Sequence, residues 1–150
     1  VPLSKELAMD IIPKTVYMNV GDYRFDSVLK ETINEKFGVN IGDLTYQDIF
    51  EEDLYAMVQE FGNPGNWVLG YPEDLTTYPE YPRTDPRDVN KELRKYDQML
   101  FQFDVHYLDC NEYYWKNDGC GIANFYIRSE DIKKKDFEHI LYHWETCNKI

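Results

Sequence analysis

Asn117-Asp-Gly-Cys-Gly-Ile-Ala-Asn-Phe-Tyr-Ile-Arg128, followed by Asp136-Phe137 and Leu141-Tyr-His-Trp144, is the stretch that decides the fold. It reads as a turn, a strand, a short helix and a final aromatic strand. The apolar and aromatic run Ile122 to Arg128 predicts the first strand. Ser129 is placed to cap a short helix, with Glu130 and Asp131 in a first turn where the helix dipole favours acids. Ile140 to Thr146 alternates and predicts the last strand. Upstream, Met99, Phe101, Phe103, Val105 and Tyr107 alternate with Gln98, Leu100, Gln102, Asp104 and His106, the clearest strand pattern in the chain.

The N-terminal part reads mainly as helix. Ser4 would cap a helix from Lys5 to Ile12, ended by Pro13. Val16, Met18 and Val20 alternate as a strand would, and Gly21-Asp22 turns the chain. Phe25, Val28, Leu29, Thr32, Ile33 and Phe37 fall at helical spacing, with Asp22 or Asp26 as N-cap and Gly38 as C-cap. Thr45 with Asp48 makes a capping-box variant for a second helix. Its stripe is Ile49, Phe50, Leu54, Met57, Val58 and Phe61, and Gly62 and Pro64 end it. Pro72, Pro79, Pro82 and Pro86 exclude a helix interior or a central strand over 71–86. That segment is expected to be a long Tyr/Pro-rich surface loop. Asp88 to Lys95 predicts a short helix. The class is therefore α+β: an antiparallel sheet, two amphipathic helices near the N-terminal part and one long loop. One domain over 1–150 is expected, since no internal boundary or repeat marks another.

Composition narrows the function classes. The chain has 150 residues, 43% apolar and 16% aromatic, enough for a sizeable core. Its formal net charge is −12, with 13 tyrosines. A nucleic-acid binder needs a Lys/Arg face, and an anionic membrane surface would repel this charge, so neither partner is expected. A basic protein would be steered inward by the same field. Cys110, Cys120 and Cys147 form no regular framework, though Cys110 and Cys120 flank one hairpin and leave a bridge open. No signal peptide or membrane-length apolar run is read, so a cytoplasmic location is expected.

Several pieces, in order, resemble the YwqG-like family of bacterial proteins, a family of unknown function. They are Leu69-Gly-Tyr-Pro72, Thr84-Asp-Pro-Arg87, Tyr96-Asp97, Leu100-Phe-Gln-Phe-Asp104, Trp115 and Asp118-Gly119. Gly121-Ile-Ala-Asn-Phe-Tyr-Ile127, Asp131-Ile132, Lys135-Asp-Phe137 and Leu141-Tyr-His-Trp-Glu-Thr-Cys147 complete the set. The resemblance covers roughly residues 66–147 and is similar to the C-terminal half of longer members. It implies an α+β fold rich in antiparallel sheet. The chain departs from the family in its extra Tyr/Pro-rich sequence between Pro72 and Asp85, and in the loop Trp115-Lys-Asn-Asp-Gly119. Association of some members with toxin genes implies an immunity or antitoxin-like role.

Two constellations carry candidate chemistry. Asp104 and His106, two apart on one strand, share a face about 7 Å apart. Asn124, Tyr126 and Arg128 share a face on the next strand. Paired as a hairpin, these strands would assemble an acid–base pair of Asp104 and His106 with Arg128 holding an anion, the material of a small hydrolase or transferase. Against this stands an ordinary polar sheet face. His139 and His143 are four apart, a metal spacing on a helix but about 13 Å on a strand, so no metal is expected. Asp109, Glu112 and Asp118 match no calcium loop. No phosphate loop, dinucleotide fingerprint or nucleophile elbow appears, and no cofactor is expected. The favoured expectation is a non-catalytic protein-interaction module with a basic partner or a homodimer. Its candidate contacts are Trp67, Tyr71, Tyr78, Tyr81, Arg87, Trp115, Asp118 and Asn124.

Overall fold

The computed structural model describes residues 10–63, 65–73, 85–104 and 121–146. Helix α1 (Phe25–Phe37) is followed by α2 (Tyr46–Phe50), a 3-10 turn (Glu51–Asp53) and α3 (Leu54–Phe61). Strand β1 (Trp67–Val68) leads to α4 (Pro86–Val89), a second 3-10 turn (Lys91–Lys95) and β2 (Gln98–Asp104). Strand β3 (Gly121–Ile127), α5 (Ser129–Lys134) and β4 (Leu141–Thr146) complete the order. The strands form one antiparallel sheet in the order β1-β2-β3-β4. The α+β expectation holds.

Local chemistry explains the helix ends. Gly38 closes α1 in the left-handed conformation, φ +67°, and its N–H donates to Asn34 O. The N-cap of α1 is Arg24, not Asp22 or Asp26. Asp22 Oδ1 instead accepts from Arg24 N at 2.9 Å, and Asp26 Oδ1 reaches across to accept from Tyr46 N at 2.8 Å. The Thr45–Asp48 capping box forms as expected. The predicted second helix breaks at the 3-10 turn, where Glu51 takes φ +37°. Ser129 does not cap α5 with its own hydroxyl, because that hydroxyl donates to Asp97 Oδ2.

Four further expectations are corrected. The stripe of α1 is only partly covered: Phe25 and Leu29 pack against Val20, Tyr46 and Leu54, whereas Val28 and Phe37 are exposed. Val16 to Val20 is not a strand, and residues 10–12 are not helical. This segment is held by side chains rather than by a ladder. Asn63 Nδ2 donates to Tyr17 O at 2.9 Å, and Gly21 N donates to Asn19 Oδ1 at 3.0 Å in an Asx turn. In β2 the simple alternation fails. A bulge between Met99 and Phe101 shifts the register, so Met99 pairs with Tyr126 while Phe101 pairs with Phe125. Neighbouring residues of β3 point to opposite faces, so Met99 lies on the face of Gln102 and Asp104, opposite Phe101 and Phe103. The Tyr/Pro-rich loop over 74–84 and the strand's continuation to Tyr107 lie outside the described residues.

The sheet therefore has two unlike faces. One carries Met99, Gln102, Asp104, Ile122, Asn124, Tyr126, His143 and Glu145, packed under residues 16–24 and 63–73. The other carries Val68, Phe101, Phe103, Phe125, Tyr142 and Trp144. The first face needs Gly70, whose φ is +101° and whose missing Cβ would stand 2.9 Å from Val16 Cγ2. Gly70→Ala is expected to lose about 1–3 kcal/mol from backbone strain and the clash together. Gly38→Ala, with open space around its Cβ position, should lose about 1 kcal/mol from backbone conformation alone. Urea denaturation of both variants checks the order, and equal losses would show that the contact with Val16 is immaterial.

Candidate functional site

Among the described residues nine apolar side chains are buried, and so are nine polar or charged ones. Buried polar groups must find partners inside the protein, so these residues define the sites with chemical potential. They fall mainly into two clusters on the packed face of the sheet.

The first is built around Arg87, fully buried in α4. Asp85 caps this helix, accepting from Arg87 N at 2.8 Å, and Pro86 occupies the first turn, where no N–H is needed. The same carboxylate takes the guanidinium, with Nη2 donating to Asp85 Oδ2 at 2.7 Å and Nε to Oδ1 at 3.0 Å. Nη1 donates to Tyr96 O at 3.3 Å. The guanidinium carbon Cζ lies 3.9 Å from the Tyr126 ring centre and 4.7 Å from that of Tyr23. Asp22 Oδ2 stands 4.0 Å from Nη2 and is itself held by Arg24 at 2.8 Å. Burial alone would lower the Arg87 pKa, but the bonds to Asp85 and the surrounding negative charge outweigh it and the net shift is upward. Arg24 and Arg94 also approach Tyr23, at 5.4 and 5.1 Å, so three arginines share one ring.

The second cluster surrounds Glu73. Asn63 N–H and Asn19 Nδ2 both donate to Glu73 Oε2, the latter at 3.3 Å. Glu73 N donates to Gln102 Oε1 at 2.6 Å. Gln102 Nε2 donates in turn to Asn63 O at 3.0 Å and Gly65 O at 2.8 Å. Asn124, opposite Gln102 on one side and His143 on the other, donates through Nδ2 to Glu73 O at 3.3 Å. Asp104 Oδ2 accepts from Gly65 N at 2.8 Å. Burial, first, and the charges of Asp104 and Glu145 push the Glu73 carboxyl up to about 7, although the Asn63 bond opposes them. Glu73 was not singled out in the sequence. Its signal was weak, a lone acid beside prolines, and only the fold brings Asn19, Asn63 and Gln102 around it.

The acid–base constellation is not brought together. Asp104 pairs with Ile122, six positions from Arg128 along the β3 direction, so the two sit at opposite ends of the ladder. Arg128 is engaged by Asp131, with Nη2 to Oδ1 at 3.0 Å, and by Glu130 at 3.2 Å. His106 lies outside the described residues. His143 stands on β4, with Nε2 2.9 Å from Glu145 Oε1, and exposed His139 precedes that strand. Among the described residues no group of three His, Cys, Asp or Glu side chains is placed to hold a metal ion.

Of the candidate contacts, Arg87 and Asn124 are buried and serve the two clusters. Trp67 is half-buried on β1, its indole N–H donating to Asn63 O at 2.9 Å and Lys14 Nζ 5.1 Å from its ring. Tyr71 is half-buried, with Arg24 5.7 Å from its ring. Tyr78, Tyr81, Trp115 and Asp118, together with the three cysteines, lie outside the described residues.

The opposite face offers a surface. Phe101 lies 6.0 Å from Phe125, and Phe125 lies 5.0 Å from Tyr142, as ring centres. Phe103 is buried at 5% exposure, whereas Val68, Tyr142 and Trp144 are 50%, 46% and 40% exposed, so the layer opens toward the sheet's outer strands.

These features define an α+β protein with a clasped polar sheet face and an open aromatic one. The chain matches the family model described as "Domain of unknown function (DUF1963)" over residues 2–147 and belongs to that family. The match takes in the N-terminal helices as well as the sheet. No curated protein matches the chain. No helix among the described residues is long and apolar enough to cross a membrane.

Removing one partner of a buried ion pair strands the other. Arg87→Ala is expected to lose about 3–5 kcal/mol. Arg87→Lys keeps the charge but loses the planar fork and the stack on Tyr126, and is expected to cost about 1–3 kcal/mol. Chemical denaturation checks both, and a lysine variant as stable as the parent would show that charge alone is what the site requires.

Proposed function

We propose that the chain is a non-catalytic protein-binding module of YwqG-like type that receives a basic partner. The observation that carries this reading is the aromatic sheet face, where Val68, Tyr142 and Trp144 stand exposed beside half-buried Phe101 and Phe125. Contiguous exposed apolar area on a soluble fold marks an interaction surface, and tyrosine and tryptophan are the side chains that anchor such contacts. The net charge of −12 favours a basic partner and speeds its approach. A second copy of the chain would bring like charge against like. An immunity-type pairing with a basic toxin is one form of this reading, and a cytoplasmic setting accords with it.

The test is capture of partners from lysate at low and moderate salt, repeated with the double variant Val68→Ser/Tyr142→Ser. Both side chains are half exposed, so folding should be little changed. The expected outcome is one basic protein, lost as salt rises, whose affinity falls about tenfold or more in the variant. Equal capture by parent and variant would overturn the assignment to this face. Alanine at Tyr78, Tyr81 and Trp115 then asks whether the Tyr/Pro-rich segment and residues 109–120 share the contact.

A further inference from the structure

Helix α1 is amphipathic by spacing, yet none of its residues is fully buried. Phe25 and Leu29, at its N-terminal end, pack against Val20, Tyr46 and Leu54. Asp26, Ile33 and Phe37 lie on one side of the helix, since seven and eleven residues are close to two and three whole turns. The chain reverses at Gly38 and comes back to that same side, where Tyr46 N donates to Asp26 Oδ1 at 2.8 Å. Residues 38–45 therefore bridge about 16 Å of α1, from Phe37 back to Asp26. Two turns stiffen this return, with Gly42 N donating to Asn40 Oδ1 at 2.9 Å and Leu44 N to Ile41 O at 3.3 Å. It covers little of the helix end. Phe37 is 75% exposed, Val39 and Leu44 are half exposed, and Ile33 and Ile41 are half-buried. At Gly38 and Gly42 no atom beyond the adjoining chain lies within 4 Å of where a Cβ would stand.

The same layer holds much of the chain's charge. Residues 25–53 carry eight acids and two lysines, a net of −6, half of the −12 of the whole chain. Asp26 and Asp48 serve the local structure, accepting from Tyr46 N and from Thr45. Glu31, Glu35 and Asp43 are exposed and enter no ion pair among the described residues. They flank the C-terminal half of α1, where the helix dipole adds its negative end. Lys30 and Lys36 offset them only in part. We propose that Phe37, Val39 and Leu44 form a docking shelf for a basic amphipathic segment of a partner protein. Its apolar side chains would seat on the shelf, and its lysines or arginines would face Glu31, Glu35 and Asp43. Exposed apolar side chains fix where such a segment sits, and the surrounding acids select its sign. A second copy of the chain would set acids against acids. The shelf belongs to the helical layer and has its own exposure and charge, independent of the aromatic sheet face.

The test is an amide NMR titration of the full chain with a synthetic lysine–leucine peptide patterned as an amphipathic helix. Two control peptides carry glutamate in place of lysine, or alanine in place of leucine. The expected result is saturable shifts of amides within 31–48, binding that weakens as salt rises, and little response to either control. Phe37→Ser should weaken binding about tenfold or more. Glu35→Gln/Asp43→Asn, which removes two exposed charges, should weaken it about two- to fivefold. Phe37 lies beyond the packed end of α1, so its substitution should leave the fold intact. Should Phe37→Ser fail to fold, Val39→Ser/Leu44→Ser decides the matter, with a loss of the same sign expected. Equal binding by parent and shelf variant, an equal response to either control, or shifts centred outside 31–48 would overturn the proposal. Shifts centred on residues 141–146 would overturn it while supporting the sheet face, so the two readings fail separately.

Discussion

An arginine taken out of water must carry its partners inside with it, and most of the polar architecture on this sheet follows from that requirement at Arg87. A guanidinium has five N–H donors and cannot discharge its proton. Its burial is tolerable only where acceptors lie in its plane and electron-rich rings cover its faces. Asp85 supplies the in-plane fork while capping the short helix that presents Arg87, and Tyr126 and Tyr23 cover it. Tyr126 comes from β3 and Tyr23 from the turn before α1, so the one group fastens helix, sheet and N-terminal segment together. Buried ion pairs add little net stability over apolar packing. What Arg87 contributes is a geometry that few alternative packings could satisfy.

The Glu73 cluster applies the same rule with weaker tools. Residues 10–22 have too little regular structure to attach themselves by a ladder, so side-chain amides do it, with Asn63 holding Tyr17 and Asn19 reaching Glu73. Gln102 then joins Asn63, Gly65 and Glu73 by three bonds from one side chain. The side-chain amides of Asn19 and Gln102 both donate and accept, which lets separate segments meet without a net charge requirement. The exception is the carboxyl at the centre. Burial, with the charges of Asp104 and Glu145, raises its pKa, and the bond it accepts from Asn63 opposes that rise.

How much of this could be read from residues alone divides along physical lines. Period-two alternation located β2 and β4, because one face of each had to differ from the other, and a continuous apolar and aromatic run located β3. The caps at Gly38 and Thr45 were legible for the same local reason. Met99 was placed on the wrong face, since a bulge is a property of two paired strands and leaves no mark on one. Val16 to Val20 alternates like a strand but has none to pair with, and periodicity reports burial, not hydrogen-bond partners. The candidate site fared worse. Asp104 and Arg128 are polar residues on neighbouring strands, yet register separates them, while Glu73, Asn19, Asn63 and Gln102 converge from positions up to 83 apart in the numbering. Arg87 was named as a candidate contact, and its burial depends on Tyr126, Tyr23 and Asp22, none of them sequence neighbours.

The two faces of the sheet are complementary consequences of one another. Polar side chains at Gln102, Asp104 and Asn124 bind backbone from the irregular segments, so those segments are drawn to that side. The opposite side presents rings, at Phe101, Phe125, Tyr142 and Trp144, where this face presents amides and acids. Its outer strands consequently keep Val68 and Tyr142 half exposed. A fold of this size could have covered them with a helix, yet α1 lies elsewhere and leaves Val28 and Phe37 uncovered as well. Leaving apolar surface open costs solubility, and in a chain of charge −12 the mutual repulsion of copies offsets that cost. The same repulsion disfavours a second copy as occupant of the open face and favours a partner of opposite sign.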